Sequence, residues 1–385
     1  MLNFEFYNPV KIYFGEGQIA SLTTAIPKEA RILITYGKGS IKKNGVYDQV
    51  KTALNGHAHV WEFEGIEPNP KYETLMKAVM LARQHQVDFL LAVGGGSIID
   101  GTKFIAAAVP FEGEPWDILE KQATVTRALS FGSILTLPAT GSEMNSGAVI
   151  SRESTGDKLV FMNPLVFPKF AVLDPTTTYT LPVRQTANGI IDTFVHVMEQ
   201  YLTYPVQAAL QDRFSESILQ TLIEEAPKVM HEPANYAARA NIMWCATLGL
   251  NGLIGAGVPQ DWATHMLGHE VTALCGLDHA QTLAVIMPSV MRVCRKEKEE
   301  KILQYGERIW GIQNGSLDER IELAITKTRD FFAGLGVKTR LRDYGVEASA
   351  IPKLLAQLKR HHLTALGEHE KIGLPESELI YQDCL

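Results

Sequence analysis

Cysteine is scarce: the 385 residues hold four, Cys245, Cys275, Cys294 and Cys384, with no CxxC pair. Such spacing argues against a disulfide framework and predicts reduced thiols in a cytoplasmic protein. Excess positive charge is also lacking. Lys and Arg number 36 against 43 Asp and Glu, a net charge of -7, so no basic stripe exists for a phosphate backbone and nucleic acid is not an expected partner. No apolar run approaches the roughly 20 residues that cross a bilayer. Even Val87 to Val93 ends at glycines, so no membrane association is expected. Met1 to Pro9 lacks the basic start and apolar core of a signal peptide.

What is present is an ordinary globular composition, 46% hydrophobic and 21% charged. The length exceeds one compact core, so two domains are predicted. Short β-rich runs at Val10 to Phe14, Arg31 to Tyr36, His59 to Phe63, Asp88 to Val93, Ser133 to Leu137 and Phe170 to Leu173 alternate with helical patterns at Glu73 to Gln86 and Ile98 to Ala108. Parallel strands need such crossovers, so the alternation predicts a Rossmann-like, mostly parallel α/β sheet. After Leu181-Pro182 come long amphipathic stretches, Gln185 to Leu202, Gln207 to His231 and Asn235 to Leu253. They predict an all-α second domain, with the boundary near residue 180: an α/β domain over 1–180 and a helical domain over 181–385.

Two turns offer nucleotide chemistry. Leu90 to Val93 reads as a buried strand, followed by Gly94, Gly95, Gly96 and Ser97 and then a helix start. Backbone N–H groups of such a turn can approach a pyrophosphate, and the helix N-terminus adds partial positive charge. A glycine turn made only for tight packing is the competing reading. The motif is not G-x-G-x-x-G, and it follows a later strand rather than the first. A second polar turn, Thr136 to Glu143 with Thr140, Gly141 and Ser142, also follows a β run, and by itself reads equally as a capped helix start.

Metal chemistry is suggested by Asp192 and His196, four apart and so on one helix face. Alone, such a pair is more often a surface contact or a satisfied core histidine. A second cluster changes the balance: His265 and His269 repeat the spacing and His279 follows, three of the eleven histidines within fifteen residues. Carboxylate plus imidazole suits zinc or ferrous iron. Spacing does not say which of His265, His269 and His279 bind. Cys275, four before His279, is a rival soft ligand, although a small buried hydrophobe is its commoner role.

These motifs, together with Phe14-Gly15, Tyr36-Gly37, Pro68-Asn69-Pro70, Asp100 and Lys103, resemble the iron-containing, group III alcohol dehydrogenase family. The likeness runs nearly end to end and is strongest to its branch of broad-substrate NADPH-dependent aldehyde reductases and butanol dehydrogenases. The resemblance implies a dehydroquinate synthase-like fold, with a dinucleotide-binding first domain and a metal-binding catalytic second domain, commonly in a homodimer. It implies that Gly95, Gly96 and Ser97 take the pyrophosphate, that Asn69, Asp100, Thr136 and Thr140 belong to the cofactor set, and that Lys158 approaches the ribose. It implies Asp192, His196, His265 and His279 as ligands of one divalent ion, Zn2+ or Fe2+, with His269 beside the metal as a catalytic group touching the nicotinamide or moving a proton. Departures from the family pattern are Asp278 for a proline, Ala280 for a glycine, and Lys38 in a turn that is often all glycine.

The expected activity is reversible hydride transfer between NADP(H) and a small aliphatic aldehyde or alcohol. Arg31 to Thr35 ends in Tyr36-Gly37-Lys38-Gly39-Ser40, with no acid in the turn to grip a ribose diol. Gly37, Gly39 and Ser40 with Lys38, Lys42 or Lys43 would instead receive a 2'-phosphate. Leu253, Ile254, Val258, Trp262, Met266 and Leu267 around the metal motifs favour an apolar substrate. A metal-dependent lyase like dehydroquinate synthase would need a basic pocket, and a non-catalytic metal- and nucleotide-binding protein is the remaining alternative.

Overall fold

The computed structural model describes residues 1–385. Six parallel strands form the main sheet in the order β1-β8-β5-β4-β2-β3: β1 Lys11–Phe14, β2 Arg31–Tyr36, β3 His59–Glu64, β4 Phe89–Gly95, β5 Ser130–Leu137 and β8 Phe170–Leu173. Alternate residues of β2 and β4 enter two separate cores. Leu33, Leu90 and Ala92 join one, while Ile32, Ile34, Leu91 and Val93 join the other. Burial on both faces explains why these strands read as continuous apolar runs. The chain crosses from β2 outward to β3, and from β4 the opposite way to β5. The carboxyl ends of β2 and β4 therefore flank a topological switch point, the place where open α/β sheets bind ligands.

An antiparallel hairpin, β6 Gly147–Arg152 with β7 Asp157–Met162, escapes the sequence pattern. Its residues are mostly half-exposed, so alternation is weak. The turn Thr136 to Glu143 does not start an α-helix. Gly141, at φ +60, leads into a single 3-10 turn, Ser142–Met144, and then into β6.

One compact unit comprises Tyr7–Leu181 with Pro233–Thr247, and the other Met1–Phe6, Pro182–Glu232 and Leu248–Leu385. The segment Pro233–Thr247 thus groups with the sheet although it lies beyond residue 180, because Met243 packs into the α/β core. The second unit is helical, and its longest apolar face belongs to the helix Val183–Tyr201, buried at every residue from Thr186 to Tyr201. A helix covered all round carries polar residues only where they find partners. This one carries Asn188, Asp192, His196, Glu199 and Gln200. No helix is long and apolar enough to cross a membrane.

Candidate active site

Asp192 and His196 lie one turn apart on Val183–Tyr201. His265 and His269 lie one turn apart on Ala263–Cys275, and His279 opens His279–Val293. The last two helices form a tight antiparallel pair. Gly276, at φ +70, ends the first, and Asp278 caps the second. Gly268 permits the approach, since a Cβ there would stand 2.9 Å from Thr282 Oγ1.

The result is a ring of nitrogens around one carboxylate oxygen. Asp192 Oδ1 is 3.8 Å from His196 Nε2, 3.7 Å from His265 Nε2 and 3.6 Å from His279 Nε2. These separations exceed hydrogen-bond reach. They approach the roughly 3.4 Å expected between donors bonded at about 2.1 Å to one tetrahedral ion. Asp192 Oδ1 and His265 Nε2 are buried without a hydrogen-bond partner. Orphaned buried polar atoms are costly, and a cation among them removes the cost, so these residues fit a divalent ion. Asp192, His265 and His279 make the compact trio, with one donor atom from each within 4.8 Å of the others. The His196 ring stacks on His265 at 4.5 Å between centroids. His269 stands 5.0 Å from the His279 ring, outside the trio. Cys275 is also outside it, and burial pushes its thiol up, away from the thiolate a metal needs.

Electrostatics support the cluster. Burial would raise the Asp192 carboxyl, but His196, His265 and His279 hold it well below the usual range. Glu199, buried one turn beyond His196 on the same face, takes His265 Nδ1 and accepts from Thr264 N at 2.6 Å. Its carboxylate calls for a proton on Nδ1, which leaves Nε2 for the ion. Against desolvation, Glu199 and Asp192 push the His265 imidazole up to about 9, so an ion takes Nε2 by displacing a proton. Sequence reasoning missed Glu199, although positions 192, 196 and 199 share one helical face. Trp262, at φ +64, packs its ring edge on His265 at 5.5 Å. Its neighbour Asp261 caps Ala263 N at 2.9 Å and pairs at 2.6 Å with buried Lys298, which Glu368 also holds. Of the predicted apolar lining, Ile254 and Leu267 are buried in the core. Leu253, Val258, Trp262 and Met266 remain partly exposed.

In the α/β unit, β4 ends in the glycine turn and Gly96 starts the helix Gly96–Ala108. The protein itself requires these glycines. A Cβ would meet Ile98 Cγ1 at 2.4 Å from Gly94, Leu137 Cβ at 2.9 Å from Gly95 and Thr140 Oγ1 at 2.4 Å from Gly96. The turns carrying Thr136 and Thr140 and carrying Gly95 and Gly96 are thus pressed together. Asn69, at φ +54, donates its N–H to Ser97 Oγ at 3.3 Å. Both Asp100 oxygens are engaged internally, by the Ser142 hydroxyl and by Val149 N at 2.9 Å. Lys103 donates to Ser142 Oγ, Asn145 Oδ1 and the Gly147 carbonyl, and burial pulls its ammonium down to about 8. Lys158, on β7, is half-buried and its charge is felt at Asp100.

After β2, a Cβ on Gly37 would be 3.3 Å from the Ile66 carbonyl, Gly39 turns at φ +80, and Ser40 begins a 3-10 turn. The turn itself carries no acid, as expected, but the sheet brings one beside it. Register sets Tyr36 opposite Glu64, and Glu64 Oε2 holds Lys42 Nζ at 2.7 Å beside the turn. An acid from the neighbouring strand is invisible to a reading confined to the turn.

Residues 9–175 match the iron-containing alcohol dehydrogenase family, and residues 186–369 match the C-terminal region of the Fe-containing alcohol dehydrogenase family. The NADPH-dependent aldehyde reductase YqhD of Escherichia coli (strain K12) is 60% identical over 385 residues, covering 99% of both chains. The probable NADH-dependent butanol dehydrogenase 1 of Bacillus subtilis (strain 168) is 43% identical over 350 residues, 90% of each. A crystal structure of YqhD from Escherichia coli K-12 superposes with a TM-score of 0.98 at 58% identity, covering 100% of this chain and 99% of that one. The chain belongs to the iron-containing alcohol dehydrogenase family.

Proposed function

We propose that the chain is a metal-dependent NADP(H)-linked alcohol dehydrogenase that reduces small aliphatic aldehydes to primary alcohols and runs reversibly. The carrying observation is the ring of three imidazole Nε2 atoms around Asp192 Oδ1, in which Asp192 Oδ1 and His265 Nε2 are buried without a hydrogen-bond partner. Asp192, His196, His265 and His279 hold one divalent ion. When bound, the ion supplies Lewis acidity for a carbonyl oxygen and the nicotinamide supplies the hydride. Glu199 keeps His265 in the tautomer that binds. His269, next to the trio, would contact the nicotinamide or hold and move a proton at its ring nitrogen. Gly95, Gly96 and Ser97 present backbone N–H groups to the pyrophosphate, with Asn69, Asp100, Thr136, Thr140 and Lys158 around the cofactor. Gly37, Gly39 and Ser40 receive the adenosine end.

Trp262, packed on His265, and the partly exposed Met266 beside it offer apolar surface, which favours an uncharged chain over a phosphorylated sugar. In steady-state assays, kcat/KM should rise with aldehyde chain length until the pocket fills, each methylene adding about 0.8 kcal/mol. On one aldehyde, NADPH should exceed NADH by about tenfold. A phosphorylated best substrate would refute the pocket reading, and equal cofactor efficiency the NADP(H) reading. The protein is further read as a cytoplasmic homodimer. Exposed Met1, Leu2, Phe4 and Phe6 give it apolar surface to cover, and light scattering at twice 42.6 kDa would bear this out, whereas the single-chain mass would refute it.

A further inference from the structure

We infer that Glu64 and Lys42 form an exchangeable pair that sets how strongly the turn after β2 separates a ribose 2'-phosphate from a free 2'-hydroxyl, an inference resting on the dinucleotide reading above. The turn stands at the sheet's switch point, beside the strand that ends in the glycine turn. In doubly wound sheets the adenosine ribose lies at the end of such a neighbouring strand, and an acid there grips the diol. Here that acid comes from β3. Glu64 Oε1 would be 3.1 Å from a Cβ on Gly39, and its other oxygen carries Lys42. Glu62, two residues earlier, is committed to the Tyr36 and Tyr47 hydroxyls and to Lys51. Glu64 is therefore the carboxylate that can trade partners.

The two members pull in opposite directions. Lys42, with Lys38 and Lys43 nearby in sequence, attracts a group of about -1.5 to -2 charge, while Glu64 repels it. A ribose diol instead donates a hydroxyl to Glu64. Both side chains are about half exposed, 40% for Lys42 and 46% for Glu64, so water replaces either partner at little cost and Lys42 can leave Glu64 for a phosphate. The Tyr36 and Tyr47 rings, 5.1 and 5.6 Å from Lys42 Nζ, keep the ammonium beside the turn. Glu64 thus restrains a preference that the lysines create.

Calorimetric titration of the metal-loaded full-length protein with NADP+ and with NAD+ tests this through binding rather than turnover. Glu64→Gln should raise the NADP+ to NAD+ affinity ratio about two- to fivefold, and Lys42→Met should lower it by a similar factor, the scale of a half-exposed charge contact. The double variant should depart from the product of the two, because the residues share one contact. Unchanged melting and metal content would show that each variant folds. A wild-type preference for NADP+ that Glu64→Gln leaves unaltered overturns the inference and spares the NADP(H) reading. No wild-type preference, with one emerging in Glu64→Gln, sinks that reading and upholds the inference. No preference in either protein overturns both.

Discussion

The ligand cluster of the helical unit is built from side chains and the glycine turn of the α/β unit from backbone, and the two relate differently to their sequence. At the cluster, Asp192 Oδ1 and His265 Nε2 are buried with no hydrogen-bond partner, which packing does not explain. At the turn, packing explains every glycine, since Ile98, Leu137 and Thr140 each occupy the space a Cβ would need. A GGGS after a strand therefore reports close approach whether or not a phosphate binds. The orphaned polar atom is the better witness to a ligand.

The strongest attack on that contrast removes a donor. His265→Ala or His279→Ala should lose bound metal and nearly all turnover while keeping the fold, because the helices carrying them pack through Leu267, Val271, Val285 and Ile286 rather than through the ligands. Elemental analysis beside a thermal melt reads both, and full metal with full activity would sink the assignment. Glu199→Gln, which keeps the shape and loses the charge on His265 Nδ1, should weaken metal affinity about 10- to 100-fold. Unchanged affinity would leave Glu199 a packing residue.

The converse attack is Gly96→Ala. Its Cβ would stand 2.4 Å from Thr140 Oγ1 and 2.5 Å from Thr140 Cγ2, so the two turns must separate. Overpacking of this kind costs about 1–3 kcal/mol. NADPH affinity by fluorescence titration should fall about tenfold, some 1.4 kcal/mol, with metal content unchanged. Restoration by a second change, Thr140→Ala, would locate the damage in the contact between turns. Failure to restore, where Thr140→Ala alone leaves NADPH affinity near wild type, would locate it in the backbone at residue 96.

These cases also mark how far the sequence carried. The central strands β2 and β4 were legible because burial on both faces made them apolar throughout. Asp192 with His196, and His265 with His269, stood out by four-residue spacing and His279 by its nearness, while only the family resemblance set His269 apart from the other histidines. The hairpin β6–β7 was not, since half-exposed strands alternate weakly. Glu64 was missed for a different reason: which residue lies opposite Tyr36 is a property of sheet register, and no window around the turn contains it. Glu199 fell between, on the ligand face by periodicity yet without a motif to single it out.

The smallest expected effect concerns Asp278, visible in sequence only as a departure from the family's proline. In the structure it joins two of the three helices that carry the metal-site residues, Val183–Tyr201 and His279–Val293. It forms a capping box with Gln281 at the start of His279–Val293, accepts from Asn188 Nδ2 at 2.8 Å, and pairs with Arg184. Arg184 is 62% exposed, so its ion pair adds little, whereas loss of a cap costs about 1 kcal/mol. Since His279 is the first residue of the capped helix, fraying there blurs a ligand position directly. Asp278→Ala should therefore lower stability by about 1 kcal/mol. It should weaken metal binding a few-fold, while Arg184→Ala changes neither. Asp278→Asn, which can still cap, should stay near wild type. If Asp278→Ala binds metal normally in a chelator competition, His279 is held by the Gly268–Thr282 contact between its helix and the one before it, and the cap is dispensable to the site.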